Sequence, residues 1–329
     1  MPQSRMPIVF GVALAFLQAL LVVAFSWAPT QSAPRDLPIG VAGPAPAVTR
    51  ITQTLETARP GGFEITAFAD EAAAKAAIED REVYGAIVVT GQTPRLLVAS
   101  AASPAVAQLL TEAANQLAAA APPAAQVTDV VANNPDDARG TGFAMMILPL
   151  VISGIAASAL LSFLLTSTRQ RFTALAVFAV GAGLLTTLVS VTWLGLMPSS
   201  AYGKVAAVGA LVTFTVPAAI GGLGVFLGRP GFGLGAAATF LLGNPFSAAG
   251  SAPELLPQPW GTIGQYLPPG AAATLMRSVA YFDGAGAARP LAVLACFALA
   301  GVVLLVLGGR RGPAAPERPA SDDTLVAAA

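Results

Sequence analysis

The chain has no histidine and a single cysteine, and only 10% of its 329 residues are charged. The lack of histidine excludes histidine-based acid–base catalysis and histidine metal ligation. Cys296 has no partner for an intramolecular disulfide. It lies in an apolar run and reads as a small buried hydrophobe. The charge content falls far below the roughly 25% of soluble domains. A net charge of zero gives no reason to expect nucleic acid as a partner. No G-x-x-x-x-G-K-S/T loop occurs, so the chain is not expected to hydrolyse ATP by itself. No ionisable side chain falls inside the apolar spans read below, which argues against self-contained proton-driven transport. No nucleophile–base constellation is present. Asp136-Asp137 near Arg139 reads either as a metal or ion-pair site or as a solvated turn before the second span. The chain is therefore expected not to be an enzyme and to need no metal or cofactor.

What is present is apolar: 55% of the residues are hydrophobic, in runs long enough to cross a bilayer. Spans read at 8–28, 142–166, 172–196, 205–227, 232–247 and 290–308. Six spans place both termini on one side. Arg5, Arg169, Arg171, Arg229, Arg310 and Arg311 fall on that side, against Lys204, Arg277 and Arg289 in the opposite short connections. The positive-inside rule makes the termini cytoplasmic in a multi-pass plasma-membrane protein. Residues 1–28 read as an uncleaved anchor. The apolar run is long for a secretory signal, and prolines follow the small-residue sites at Ala28 and Ala33.

Residues 29–140 are different in kind and hold more than half of the charged residues. Strands read at 37–42, 63–68, 84–89 and 95–100, with a further one at 126–131. Helices read at 45–58, from Asp70, and from Ser103-Pro104, a cap residue followed by a first-turn proline. This order implies a small α/β domain with helices packed on a sheet. Residues 118–125 read as a linker or helix end. The tail, 309–329, is rich in proline and alanine and is expected to be disordered. Small residues at 181–183 and 218–228 predict close helix–helix approach.

The segment 244–288 is cut by Pro245, Pro257, Pro259 and Pro268-Pro269. Asn244-Pro245 can end a helix, because proline biases the preceding residue away from helical geometry. Its last piece, 270–282, has Leu275, Met276, Val279, Tyr281 and Phe282 to bury and Arg277 to keep wet. Such pieces read as a re-entrant helical insertion or as an amphipathic surface loop. Asn244 reads as a helix cap or a substrate contact.

Three stretches resemble a known family: REVYGAIVV (81–89), NPDDARG (134–140) and the segment 244–286. Together with the anchor, the α/β domain and the five following helices, they resemble type-2 ABC exporter permeases. The likeness is closer to YhgE/Pip-like actinobacterial membrane proteins and covers most of residues 8–308. The fold then expected is an α-helical membrane protein of six transmembrane helices. An extracytoplasmic α/β domain lies between helices 1 and 2, with a re-entrant insertion between helices 5 and 6. The resemblance implies a homodimer in membrane lipid that works with a separate cytoplasmic nucleotide-binding ATPase. It would move a hydrophobic or amphipathic substrate outward. On that reading Trp260, Gln265, Arg277 and Asp283 shape an outer gate hinged at Asn244 and Pro245. Arg169 and Arg171 either couple to the ATPase or serve as membrane-orientation charges. The alternative is a non-transporting envelope scaffold or receptor whose α/β domain binds a partner or ligand.

Overall fold

The computed structural model describes residues 6–89, 94–120 and 126–310. The chain opens with α1 (Met6–Thr30). An α/β unit follows: β1 (Leu37–Ala42), α2 (Ala45–Ala58), β2 (Phe63–Phe68), α3 (Glu71–Glu79), β3 (Gly85–Val89), β4 (Pro94–Val98), α4 (Pro104–Ala120) and β5 (Gln126–Asp129). These elements fall in the order that the periodicities predict. Local chemistry sets their starts: Asp70 accepts from the Ala73 amide at 2.8 Å, and the Ser103 hydroxyl accepts from Val106 N–H at 3.3 Å. Both satisfy amides that have no partner within the first helical turn. The sheet order is β2-β1-β3-β4-β5. All pairs are parallel except the β3–β4 hairpin. The expected linker lies partly in 121–125, outside the described residues, as does the expected disordered tail beyond residue 310.

The apolar part comprises α5 (Thr141–Phe163), α6 (Thr168–Thr187), α7 (Tyr202–Leu227), α8 (Arg229–Ala237), α9 (Trp260–Gln265), α10 (Pro268–Tyr281) and α11 (Ala288–Arg310). Leu188–Trp193 and Ala238–Gly243 continue α6 and α8 as π-helical turns. Among the described residues, five helices are long and apolar enough to cross a membrane: α1, α5, α6 with its extension, α7 with the preceding 3₁₀ turn, and α11. The span expected at 232–247 is not one of them. There, α8 has nine residues and its π extension six, short of the ~20 residues a ~30 Å hydrocarbon core demands. The regular helix ends at Gly243, but Asn244 keeps helical dihedrals (φ −75°, ψ −50°). Phe246 N still donates to Leu242 O at 3.2 Å, so the chain runs out through turns rather than breaking in the extended geometry expected before Pro245.

The bundle is built around α7, which packs against α5, α6, α8, α10 and α11. Its small residues allow this. A Cβ added at Gly222 would lie 2.6 Å from the Gly301 carbonyl, and one at Gly301 would collide with the backbone of Ala218 and Ala219. The α7 and α11 backbones therefore meet with no side chain between them. α11 turns Leu294, Gly301, Leu305 and Gly308 inward and leaves Cys296 exposed. The cysteine is thus not buried as expected, because it lies off that inward stripe.

The α/β unit and the apolar part share their cores. Phe282 packs into the cluster around Ile78, Val88 and Leu97. Ala252 and Leu255 pack into the one around Leu37, Ile39 and Val106. Backbone hydrogen bonds from Ala33 N to Leu255 O (2.9 Å) and from Arg35 N to Glu254 O (3.0 Å) seal the joint. Asp137 is buried at the other junction. Its carboxylate accepts from the amides of Gly142 (3.0 Å) and Phe143 (2.8 Å). It satisfies first-turn amides of α5 from a buried position, which corrects the expectation of a solvated turn; no group of three or more acidic or cysteine residues suited to a metal occurs among the described residues.

Gly301→Val inserts bulk into the α7–α11 contact and is expected to cost about 1–3 kcal/mol, as overpacking does. Gly233 has open space at its Cβ position, so Gly233→Ala should be neutral or stabilising by up to about 1 kcal/mol. Thermal melts of the purified variants check this, and equal melting temperatures would refute the close-packing account.

Candidate functional site

The insertion 244–287 is a packed core element. It contains a 3₁₀ turn at Pro253–Leu255, then α9 and α10, and α10 is buried along most of its length. Glycine permits this compactness: a Cβ at Gly264 would run into the Phe246 carbonyl. Where α10 passes beneath the α/β unit, a polar cavity of about 250 Å³ remains. Four distant segments wall it: Arg81 and Tyr84 ahead of β3, Glu254 on the 3₁₀ turn, Gln265, Thr274 and Arg277 from α9 and α10, and Arg289 at the start of α11.

Arg277 is 3% exposed, which corrects the expectation of a solvated side chain. Its guanidinium donates to Ala101 O at 2.8 Å and to Ala249 O, and stacks 4.3 Å from the centre of the Phe143 ring. Two carbonyls and a ring face replace water around the charge. Burial first, and then the neighbouring Arg81 guanidinium, pushes Arg277 down to about 10, so it remains cationic at neutral pH. Arg81 holds a left-handed backbone, φ 61°, which L-residues other than asparagine and aspartate rarely adopt. This aims its Nη1 at Ser278 Oγ (3.0 Å) and Thr274 O (3.4 Å), with the Phe282 ring 5.0 Å away. Arg289 is exposed and lies 4.4 Å over Tyr266.

Against three guanidinium groups the cavity sets one carboxylate. Tyr84 Oη donates to Glu254 Oε2 at 3.0 Å. Burial raises Glu254 above an ordinary carboxylate, against opposing pulls from its hydrogen bonds and from Arg81 and Arg289. Burial likewise raises the Tyr84 hydroxyl, which stays protonated as a donor. Among the described residues the ion pairs are Lys75–Glu79, Arg95–Glu71 and Lys204–Asp283, so none neutralises a cavity arginine. The arrangement can hold an anion.

The structure brings together only two of the residues proposed for a gate, Gln265 and Arg277. Gln265 is locked by its own bonds, donating to Ser247 O at 3.1 Å and accepting from Thr274 Oγ1 at 2.6 Å. Asn244 and Pro245 line a neighbouring apolar groove instead. Trp260 stacks on Phe246, with ring centres 5.1 Å apart. Asp283, 92% exposed, pairs with Lys204 on the surface. The two proposed coupling residues also part: Arg169 is exposed, whereas Arg171 is buried with Nε donating to Leu161 O and Leu165 O, both at 3.0 Å. Arg171 caps the C-terminal end of α5. Sequence pattern does not single out Arg81, Tyr84, Glu254 or Arg289 as site residues. The available signal was an isolated charge in an apolar, proline-cut segment, as at Glu254 and Arg289.

Two outcomes follow. Arg277→Ala leaves the carbonyls of Ala101 and Ala249 without their donors, at about 1–3 kcal/mol for each buried group. Membrane abundance and melting temperature should both fall; unchanged values would contradict its structural role. For Glu254, the folded pKa is raised, so the folded state keeps a proton that the unfolded chain releases near pH ~4.3. Its contribution is therefore fully present below that pH and is lost as pH rises through the folded value. Glu254→Gln should raise the melting temperature at pH 7 and flatten this part of the pH dependence; a lowered melting temperature at pH 7 would refute it. Comparison with protein-family models, curated proteins and solved structures gave no match to the chain.

Proposed function

We propose that this protein is the permease subunit of an ABC-type exporter, moving a hydrophobic or amphipathic substrate outward with energy from a separate ATPase. The observation that carries the reading is the joint construction of the cavity. Its walls come from the α/β unit, the insertion and the start of a membrane-length helix, and α10 packs directly on α5, α7 and α11. A cavity tied to the bundle in this way can be reshaped by helix movement, which a passive anchor has no use for. The scaffold reading assigns binding to the α/β unit alone, yet that unit contributes only part of the cavity and completes its cores with Phe282, Ala252 and Leu255.

Orientation follows the arginines. Arg169, Arg171, Arg229 and Arg310 lie on elements that converge at one end of the bundle, where Gly308 meets Val225 and Gly309 meets Thr168. On the positive-inside rule that end is cytoplasmic, and the cavity faces outward. This reading takes α8 and its π-helical extension as the sixth pass, with the insertion packed at its outer end where a Cβ at Gly243 would meet Pro269. The exposed Arg169 is the coupling residue on this reading, and Arg171 is structural.

Gentle solubilisation of the tagged protein should recover a stoichiometric nucleotide-binding ATPase. Arg169→Glu should release that ATPase at unchanged membrane abundance, whereas Arg171→Ala should lower abundance itself. Export should stop when the ATPase is inactivated. Export that persists with an inactive ATPase would overturn the proposal.

A further inference from the structure

A second hollow adjoins the cationic cavity. An apolar groove of about 500 Å³ runs between the last turns of α1, the first turns of α5 and the insertion, lined by Phe25, Met145, Ile147, Leu148, Pro245 and Leu256 among others. Ala248 and Ser251 wall both spaces. Met145 is 72% exposed, so the groove is open along the side where membrane-length helices present apolar surface. The cavity, in turn, has donors to spare. Arg289 makes no hydrogen bond to a described residue, and Arg81 uses only Nη1.

We propose that the two spaces form one binding site for an anionic amphiphile, its headgroup on Arg81 and Arg289 and its hydrocarbon chain along the groove. Resting on the permease reading, this names the chemical class of the substrate. Charge complementarity selects the head: three guanidinium groups face one carboxylate, itself bonded to Tyr84. Guanidinium forks suit phosphate or carboxylate oxygens. Arg277 spends donors on Ala101 and Ala249, so it supplies fixed positive potential while the other two make contact. The apolar groove selects the tail, because a chain laid there leaves water without breaking any polar contact. A free phosphate would use the cavity alone. An uncharged lipid would use the groove alone.

The test uses the full-length protein, delipidated in neutral detergent, with bound lipid read by native mass spectrometry. Dioleoyl phosphatidic acid should bind about tenfold or more tightly than dioleoyl phosphatidylcholine, as one or two charge-assisted hydrogen bonds allow. Arg289→Gln should erase most of that preference; because Arg289 is exposed, an unchanged melting curve will show the variant is folded. Leu148→Trp, which fills the groove, should weaken phosphatidic acid binding, and millimolar inorganic phosphate should not displace the lipid. Equal binding of the two lipids would overturn the proposal. So would displacement by inorganic phosphate with no effect of Leu148→Trp, which would mark a site for a free anion. No ATPase is present in this assay. Failed ATP-driven export would therefore sink the permease reading and leave the binding result standing, while indifference to headgroup charge would do the reverse.

Discussion

The guanidinium of Arg277 joins the three parts of this protein. It rises from α10 of the insertion, bonds the Ala101 carbonyl of the α/β unit and the Ala249 carbonyl, and covers the Phe143 ring of α5. A lysine could not make the same set, since one ammonium lacks the planar fork that spans two acceptors and lies flat on a ring. A buried cation is tolerated only when its donors are satisfied. The three partners thus hold the arginine in place, and the arginine holds them to one another.

Around this joint the molecule behaves as one packed object. The α/β unit has a sheet and helices of its own, but its apolar clusters close only with Phe282 on one side and Ala252 and Leu255 on the other. The insertion takes its shape from the same contacts. Below it, α7 gathers the remaining helices through glycine-lined backbone approaches, the packing available where lipid gives no hydrophobic drive for helices to associate. α1 is the exception. It touches the rest mainly near its end, through Phe25 on Phe240 and Trp27 on Phe246, which leaves the apolar groove beside it.

Electrostatics at the junction are unbalanced in one direction. Glu254 is the lone acid on the cavity wall, and its burial favours the protonated form, which would leave the three arginines with still less compensation. Most charged residues elsewhere are exposed on the α/β unit, where water screens them. Concentrated positive potential within a partly enclosed space is where field acts furthest, and such a field favours negative charge.

Local pattern carried much of the architecture. Strand alternation, apolar helix stripes, the Asp70 and Ser103 caps and the proline breaks around Asn244 placed the elements, because each depends on residues within a few positions of one another. Long apolar runs marked the membrane-length helices for the same reason. The π-helical end of α8 stopped short of a full span at Gly243, a matter of a few residues that hydropathy alone smooths over. What the linear order could not contain was the pairing of distant groups. Arg277 read as a side chain for water because its substitutes for water, two carbonyls and a ring, come from elsewhere in the chain. Arg81, Glu254 and Arg289 became neighbours only when the sheet settled on the insertion. Composition and periodicity determined that this is an apolar, helix-rich chain with a small α/β unit; tertiary packing decided where its charges meet, since burial and electrostatic environment are properties of neighbours in space.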